Sequence, residues 1–547
     1  MSANRENISP RTQRPRAGFA GLFYDEFDQG SVWLRDEARI YLPNWEEDAD
    51  LSIRLVGECR QHPEAGTTVP AFPGLACFVG ERCQGRMIPS GPGNWSMELT
   101  LSRAVLAKRQ PIRLRLLGVT WTNFLAWAAR ITGNPSIQHY RRQTANRQLR
   151  LQRIETTSGE LIFDFSHRHA ELSPAFVRKH TPIGLNIVGF LAADLGIGES
   201  ARCMVRAADA AELPTALVPL KLHCKNPQSD QTYAARLRPD NPYPVNVVHI
   251  DPPAAHDFDH HQGAAFRKGK YNVAYWAWEL PEFPDAWIPA CDYFHEIWCP
   301  SEFVRHAIAP KVPLPVFTMP HPIAFARPDG NCRAQFGLPA DRFLFLFLYD
   351  LNSYSARKNP QAALTAFRAS GLAERGAGLV IKVHNLAGNE ADFAALQAAV
   401  ANLPHVTFIT ETLSRAQTYQ LQAACDCFIS LHRAEGFGLA VAECMYLGKP
   451  VIATDWSATS EYLNPTNGCP VHYQLQTLQR HYGPYAQGAT WAEPDTEHAA
   501  WWMRRIFEDR TLRDGLGLEA RMTIEGRFSP AVIGALYRRR LEAIAMF

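Results

Sequence analysis

The chain has 547 residues, of which 46% are hydrophobic and 20% charged, and its formal net charge at pH 7 is +2. This length exceeds what a single hydrophobic core supports, so two to four domains are expected. The nearly balanced charge and the absence of a nucleic-acid-binding motif argue against a nucleic-acid partner. No stretch approaches the ~20 apolar residues needed to span a bilayer. The composition is typical of an ordinary globular protein.

The cysteines and the first residues suggest a reducing compartment. The 12 cysteines are scattered and include no CxxC pair, which favours buried free thiols over disulfides or zinc. Residues 1–18 are polar and lack the apolar core of a signal peptide, so we expect a disordered tail there. The predicted location is the cytoplasm, with peripheral association at the inner face of the membrane as an open alternative.

Residues 19–165 alternate between apolar and polar side chains in short runs separated by Pro- and Gly-rich turns. This period-two pattern predicts an antiparallel β-sandwich-like domain. The clearest runs are Ala38–Leu42, Leu51–Val56, Trp95–Leu101 and Ile112–Leu116. The tryptophans of this region are Trp33, Trp45, Trp95, Trp121 and Trp127. They are either core residues or platforms on which sugar rings stack, and the pattern leaves both interpretations open.

From Thr181 the chain alternates between strands and helices, which predicts a parallel sheet over residues 181–325. After a first strand at Gly184–Phe190, a loop over 192–200 contains Gly196, Gly198 and Glu199 and precedes a helix at 201–211. Glycines between a first strand and its helix are typical of a phosphate-facing loop, although an ordinary turn is an equal alternative. Further along, Glu279 follows the strand at Asn272–Trp276.

A second domain of the same type is predicted over residues 340–525, beginning with the strand Arg342–Asp350. The run Arg357-Lys358-Asn359-Pro360 opens a helix that continues through Phe367. The part from Trp491 onward is expected to be helical. A final helix is expected within 526–547.

The most informative segment is Ser430–Tyr462, which holds Glu435 and Glu443 eight positions apart. A buried strand leads into the turn Glu435–Gly438, and a helix leads out of it. The first turn of a helix has backbone N–H groups without partners and a partial positive charge, and glycine lets a ligand approach closely. The turn therefore suits a phosphate or a ring of sugar hydroxyls, with the two glutamates as acceptors at its two ends.

This segment resembles the donor-site signature of retaining glycosyltransferases of family 4, which have the two-Rossmann GT-B fold. The likeness extends over about residues 183–547. It implies two Rossmann-like domains facing across a cleft, with the last helix crossing back to the acceptor-side domain. The resemblance implies that Glu443 binds the ribose of the donor. It also implies that the Glu435 end of the turn faces the donor sugar and diphosphate. Its donor-side residues are Glu435, Gly436, Phe437, Gly438, Leu439 and Glu443.

The same resemblance assigns further roles. A lysine at the position of Lys358 pairs with the donor diphosphate, and cations there suit a leaving group with at least two negative charges. Family members often have an arginine six residues earlier, where this chain has Asn352. We expect Asn352 to be among the donor-binding residues and Arg357 to substitute for that arginine. Glu279 stands where many members have an active-site histidine, and we expect it to bind the acceptor.

The sequence thus predicts a retaining hexosyltransferase that moves a sugar from a nucleotide diphosphate sugar to a hydroxyl of a glycan, including a lipid-linked one. The alternative is a catalytically inactive glycan-binding or scaffold protein. No cofactor and no metal are expected. His256–His261 contains a DxD tripeptide, Asp257 to Asp259, but such tripeptides are common by chance.

Overall fold

The structure is a computed structural model that describes residues 18–28, 31–42, 49–59, 74–106, 111–117, 149–165, 171–173, 183–328 and 332–545. The chain divides into two compact units. One consists of Met1–Ile183 with Arg539–Phe547, and the other of Gly184–Arg538.

The described part of the first unit is built on one antiparallel sheet. Its ten strands are β1 (Gly18–Asp28), β2 (Ser31–Tyr41), β3 (Leu51–Cys59), β4 (Gly74–Val79), β5 (Arg82–Met87), β6 (Gly93–Leu101), β7 (Ile112–Leu117), β8 (Leu149–Thr156), β9 (Leu161–Asp164) and β10 (Glu171–Leu172), with a short helix α1 (Arg103–Leu106). The order is β10-β9-β8-β2-β7-β4-β5, β1 pairs with β2, and β3 pairs with both β6 and β8. The sheet is therefore branched at β2 and at β8.

Alternate residues of these strands form a single core. Leu51, Ile53 and Leu55 of β3 are buried between half-buried neighbours, as period-two alternation predicts. Trp95 of β6 is only 6% exposed and belongs to this same core. Of the five tryptophans, Trp95 therefore follows the core interpretation. The side chain of Trp33 and all of Trp45, Trp121 and Trp127 lie outside the described residues.

The second unit contains two parallel six-stranded sheets. The first sheet has the order β12-β11-β13-β14-β15-β16. Its elements are β11 (Leu185–Gly189), α2 (Gly196–Ala210), β12 (Thr215–Pro219), β13 (Val245–His249), α3 (Ala255–Gln262), α4 (Ala264–Arg267), β14 (Tyr271–Tyr275), β15 (Glu296–Cys299), α5 (Glu302–Ile308) and β16 (Val316–Thr318). Strands alternate with helices, as they do in Rossmann-like domains.

The second sheet has the order β19-β18-β17-β20-β21-β22. Its elements are β17 (Leu344–Asp350), α6 (Ser355–Lys358), α7 (Pro360–Ser370), β18 (Gly378–His384), α8 (Glu390–Val400), β19 (Val406–Ile409), α9 (Arg415–Ala424), β20 (Cys427–Ser430), α10 (Leu439–Tyr446), β21 (Val451–Thr454) and β22 (Cys469–Val471). A two-stranded hairpin, β23 (Tyr473–Thr477) and β24 (Thr490–Pro494), precedes α11 (Thr496–Glu508), α12 (Arg510–Phe528) and α13 (Pro530–Ala545).

The strand order indicates where a ligand of this domain would be expected to bind. β17 lies between β18 and β20. From β17 the chain continues to β18 on one side, and from β20 it continues to β21 on the other side, so the strand order reverses between β17 and β20. Ligands of open parallel sheets bind outside the carboxyl ends of the strands at such a switch point. β17 is followed by the segment with Arg357 and Lys358, and β20 by the turn with Glu435. The topology thus brings together two motifs that are almost 80 positions apart.

The two Rossmann-like domains and the preceding antiparallel sheet confirm the GT-B fold class. Near its start α13 packs on the first Rossmann-like domain, where the Tyr537 ring stacks on Trp298 with centroids 5.5 Å apart. Among the described residues, no helix combines the length and the apolar character needed to cross a bilayer.

Three local predictions were wrong. Gly196 and Gly198 lie in the first turn of α2 instead of a loop, and at Gly198 a Cβ atom would come within 2.6 Å of the Phe190 carbonyl oxygen. Arg357 and Lys358 end the short α6, and the following helix begins only at Pro360 after the Asn359 cap. Residues 490–494 form β24, which pairs with β23. The helix begins only after the Asp495 cap.

Candidate active site

The turn after β20 is held against both Rossmann-like domains. Glu435 N donates a 3.0 Å hydrogen bond to Ser457 Oγ, and Ser301 Oγ of the first domain donates a 2.7 Å bond to the Gly436 carbonyl. Gly438 has φ +86°, the left-handed conformation that glycine adopts without strain, and directly precedes α10. The turn is therefore fixed in position before any ligand binds.

Two cations converge on Glu435. Lys358 Nζ forms an ion pair with Glu435 Oε1, and Arg357 Nη1 lies 3.5 Å from Oε2. On its other side Arg357 faces Glu279 of the first domain at 3.8 Å. The structure thus brings Arg357 and Lys358 together with Glu435, and places Glu279 of the first domain beside Arg357.

The charges in this cluster stabilise one another. Burial opposes ionisation of Glu435, but Lys358, Arg357 and His432 lower its pKa to about 2. Burial lowers the pKa of Lys358 despite the attraction of Glu435. Burial disfavours the charged form of Arg357, but the neighbouring Tyr485, Glu279 and Glu435 raise its pKa. At neutral pH we therefore take Glu435 as a carboxylate and Arg357 as a cation.

Glu443 lies on α10 and is 4% exposed. Its Oε1 forms an ion pair with Arg415 at the start of α9, and its Oε2 accepts a 2.9 Å hydrogen bond from Gln422 Nε2. Both carboxylate oxygens therefore have a protein partner. The Arg415 guanidinium lies over the Tyr419 ring at 4.8 Å.

Glu199 connects this second cluster to the first Rossmann-like domain. It lies in the first turn of α2, is 4% exposed, and forms ion pairs with Arg202 at 2.8 Å and Arg206 at 2.7 Å. Its Oε2 is also 3.7 Å from Arg415 Nε. Burial opposes its ionisation, but Arg415, Arg206 and Arg202 keep its pKa well below the usual range. Glu199 is thus an internal member of a charge network.

The remaining predicted residues differ in their surroundings. Phe437 packs edge-on against His321, with centroids 4.9 Å apart, and against Phe528 at 5.4 Å, so its ring belongs to the packed interior. Leu439 is half-buried at the start of α10. Asn352 is exposed, and its Oδ1 accepts a 2.9 Å bond from Asn389. The structure places Asn352 in a different hydrogen-bonded group from Arg357 and Lys358.

Sequence reasoning missed several side chains of these clusters. Arg415 follows the Ser414 cap of α9, but nothing in that helix start distinguishes it from a solvated arginine. Tyr485 donates a 3.1 Å hydrogen bond to Glu279 from the loop between β23 and β24. Ser457, which supports Glu435, adopts φ +67°, and this uncommon conformation could only be found from the structure.

Asp259 of the DxD tripeptide has a structural role. Asp259 forms a 2.6 Å ion pair with Arg267, and His256 Nδ1 is 3.1 Å from the Tyr293 hydroxyl. Across the described ranges, no three His, Cys, Asp or Glu side chains are arranged to hold a metal ion.

Comparison with known proteins agrees with this geometry. Residues 330–522 match the family model described as "Glycosyl transferases group 1". The match contains Arg357, Lys358, Glu435, Arg415 and Glu443, so the resemblance to glycosyltransferases is confirmed for this part of the chain. No curated relative matches the chain significantly.

Solved structures of low identity are also similar. Anabaena Alr3699/HepE, in complex with UDP-glucose, is 13% identical and aligns over 66% of this chain and 99% of its own, with a TM-score of 0.49. Sucrose-phosphate synthase from Thermosynechococcus elongatus is 14% identical over 66% of this chain and 100% of its own, also at 0.49. A glycosyltransferase from Rickettsia africae is 13% identical over 66% and 97%, at 0.48. Scores this low give these likenesses no weight for substrate or mechanism.

Proposed function

We propose that the chain is a retaining glycosyltransferase that moves a hexosyl group from a nucleotide diphosphate sugar to a hydroxyl of a glycan, with lipid-linked glycans among the candidate acceptors. The observation that carries this proposal is the convergence of Arg357 and Lys358 on Glu435, beside the N-terminus of α10. Two cations and a helix start in one place can neutralise a departing diphosphate.

The proposed chemistry needs few protein groups. The acceptor hydroxyl attacks the anomeric carbon from the face that the diphosphate leaves. The bond from that carbon to the phosphate oxygen breaks, its electron pair stays on the diphosphate, and the hydroxyl proton passes to a phosphate oxygen. Lys358 and Arg357 stabilise the negative charge that develops, and Glu435 orients the sugar. No metal enters this scheme, because the two cations provide the neutralisation.

The donor is oriented by the two glutamates. In this proposal Glu443 accepts hydrogen bonds from the ribose, and Glu435 binds the sugar end. Glu279 of the first domain faces Arg357 from the opposite side of the cluster at 3.8 Å, which supports an acceptor-side role. The proposed location is cytoplasmic, with peripheral contact to the inner face of the membrane if the acceptor is lipid-linked.

A thermal-shift screen followed by product analysis tests this function. UDP-glucose, UDP-N-acetylglucosamine, GDP-mannose and ADP-glucose are added to the full chain, and a ligand at about 100 Kd stabilises by about 2.7 kcal/mol. NMR of the product then shows whether the anomeric configuration of the donor is retained. Binding without hydrolysis or transfer would favour the inactive glycan-binding alternative, and inversion of configuration would refute the proposed mechanism.

A further inference from the structure

The loop between β23 and β24 reaches from the second Rossmann-like domain to the first. Leu478, Tyr485 and Trp491 of this hairpin belong to the same hydrophobic cluster as Trp278 and Phe283 of the first domain. The hairpin therefore connects the two domains beside the cluster of Arg357 and Glu279.

The tip of the loop is fixed by its own backbone. Tyr482 N donates to the Tyr485 carbonyl at 2.9 Å, and Tyr485 N donates to the Tyr482 carbonyl at 3.1 Å. Leu478 N donates to the Ala489 carbonyl at 2.8 Å and closes the base of the loop. Such reciprocal bonds fix the backbone from which the Tyr485 side chain extends, and a group that orients others requires such support.

Tyr485 lies between the two segments that supply the charges of the cluster. Its ring centroid is 5.6 Å from that of Trp278, which directly precedes Glu279, and 5.7 Å from that of Tyr354, three residues before Arg357. The Tyr485 side chain is 2% exposed. Burial raises its pKa, so the hydroxyl stays protonated and can donate to Glu279 Oε2 at 3.1 Å.

We propose that Tyr485 is a positioning residue for the transfer reaction, because its hydroxyl fixes the Glu279 carboxylate, which faces Arg357 at 3.8 Å. The proposal rests on the proposed function. The Glu279 side chain is 24% exposed, so its carboxylate can still accept a hydrogen bond from a hydroxyl of the acceptor. With Oε2 held by Tyr485, Oε1 faces Arg357, and both groups are aligned before substrates bind.

The test is a double-mutant cycle in full-length protein, with turnover of the donor that the screen identifies as the measurement. Tyr485→Phe keeps the ring and removes the hydroxyl. We expect it to lower kcat about 10-fold while the donor KM changes less than about twofold. The free energy of a hydrogen bond to a charged group corresponds to roughly such a loss of rate. Glu279→Gln should lower kcat as well, and the double variant should be no slower than the slower single variant.

Tyr482→Phe is the matched control on the same loop, because the Tyr482 ring packs on Trp491 with centroids 5.2 Å apart, whereas the hydroxyl that donates to Glu279 is that of Tyr485. Its kcat should stay within about twofold of wild type. A Tyr485→Phe variant as active as this control, or losses that multiply in the double variant, would overturn the positioning role while the proposed function stands. A wild-type protein that neither hydrolyses nor transfers any sugar of the panel would overturn both.

Discussion

Lys358→Met tests whether the ammonium group beside the donor turn serves stability, catalysis or both. Methionine keeps most of the apolar stem and removes the charge. The Lys358 and Glu435 side chains are 22% and 12% exposed, so the substitution leaves a largely buried carboxylate with Arg357 as its remaining cation at 3.5 Å. Removing one partner of a buried ion pair costs roughly 3–5 kcal/mol, and the presence of Arg357 points to the lower end, about 3 kcal/mol.

The size of the second unit converts this cost into a measurable shift. With an unfolding entropy of about 2.1 cal/mol/K per residue over Gly184–Arg538, about 3 kcal/mol lowers Tm by roughly 4 °C. Adding Glu435→Gln removes the buried carboxylate that has lost Lys358, so the double variant should melt above Lys358→Met alone. For turnover we expect a loss of roughly 10²-fold or more in kcat, as for other groups that stabilise developing charge.

Lys449→Met is the matched control. Lys449 is also half-buried in the same domain, but its Nζ donates a 2.7 Å bond to the Ala423 carbonyl. We expect it to lose stability while its kcat stays within about twofold of wild type. Near-normal turnover in a folded Lys358→Met protein would refute the leaving-group role. A double variant no more stable than the single one would refute the ion-pair argument.

Four further predictions concern the turn, the pH response, the metal requirement and the donor. Gly436→Ala should lower Tm and donor turnover, because a Cβ atom there would lie 2.9 Å from the Trp278 carbonyl oxygen, and an unchanged crystal structure and kcat would contradict this. His432 has its pKa lowered by burial to about 4, so the unfolded chain binds more protons and stability should fall as pH drops from about 6.5 to 4. His432→Gln should flatten the Tm curve in that window. EDTA should leave turnover intact, and loss of activity restored by Mn²⁺ would refute the metal-free scheme. In calorimetric titrations Glu443→Gln should weaken both the nucleoside diphosphate and the full donor, whereas Glu435→Gln should weaken only the full donor, and the reverse pattern would overturn the donor orientation.

The fold could be predicted because its signals are local. Alternating strands and helices from Thr181 onward and period-two alternation before it each follow from side-chain burial, and the structure has both. Helix boundaries were harder, because a glycine that makes room for a carbonyl looks like a loop glycine in sequence. Gly198 is such a residue, since it lies inside α2 next to Phe190.

The candidate site was only partly predictable for a related reason. Glu435, Lys358 and Arg357 belong to sequence motifs whose spacing indicates a donor site. The sheet order brings these motifs together. Tyr485 has no such motif, and its hydroxyl reaches Glu279 only because a hairpin of one domain packs on the other. Contacts between domains depend on tertiary placement, which no local pattern encodes.

Glu443 and Glu199 show how this limit affects the interpretation of function. Each was found by its own motif, but only the structure shows that Arg415 lies between them, paired with Glu443 and 3.7 Å from Glu199. If Glu443 binds the donor ribose, the ribose has to share or replace the Arg415 contact, because both carboxylate oxygens already have partners. Glu199 then keeps a counter-charge beside the displaced guanidinium, which lowers the cost of the exchange. The charges of the acceptor-side helix and of the donor-side helix are thus coupled through one arginine, and nucleotide affinity should depend on both domains.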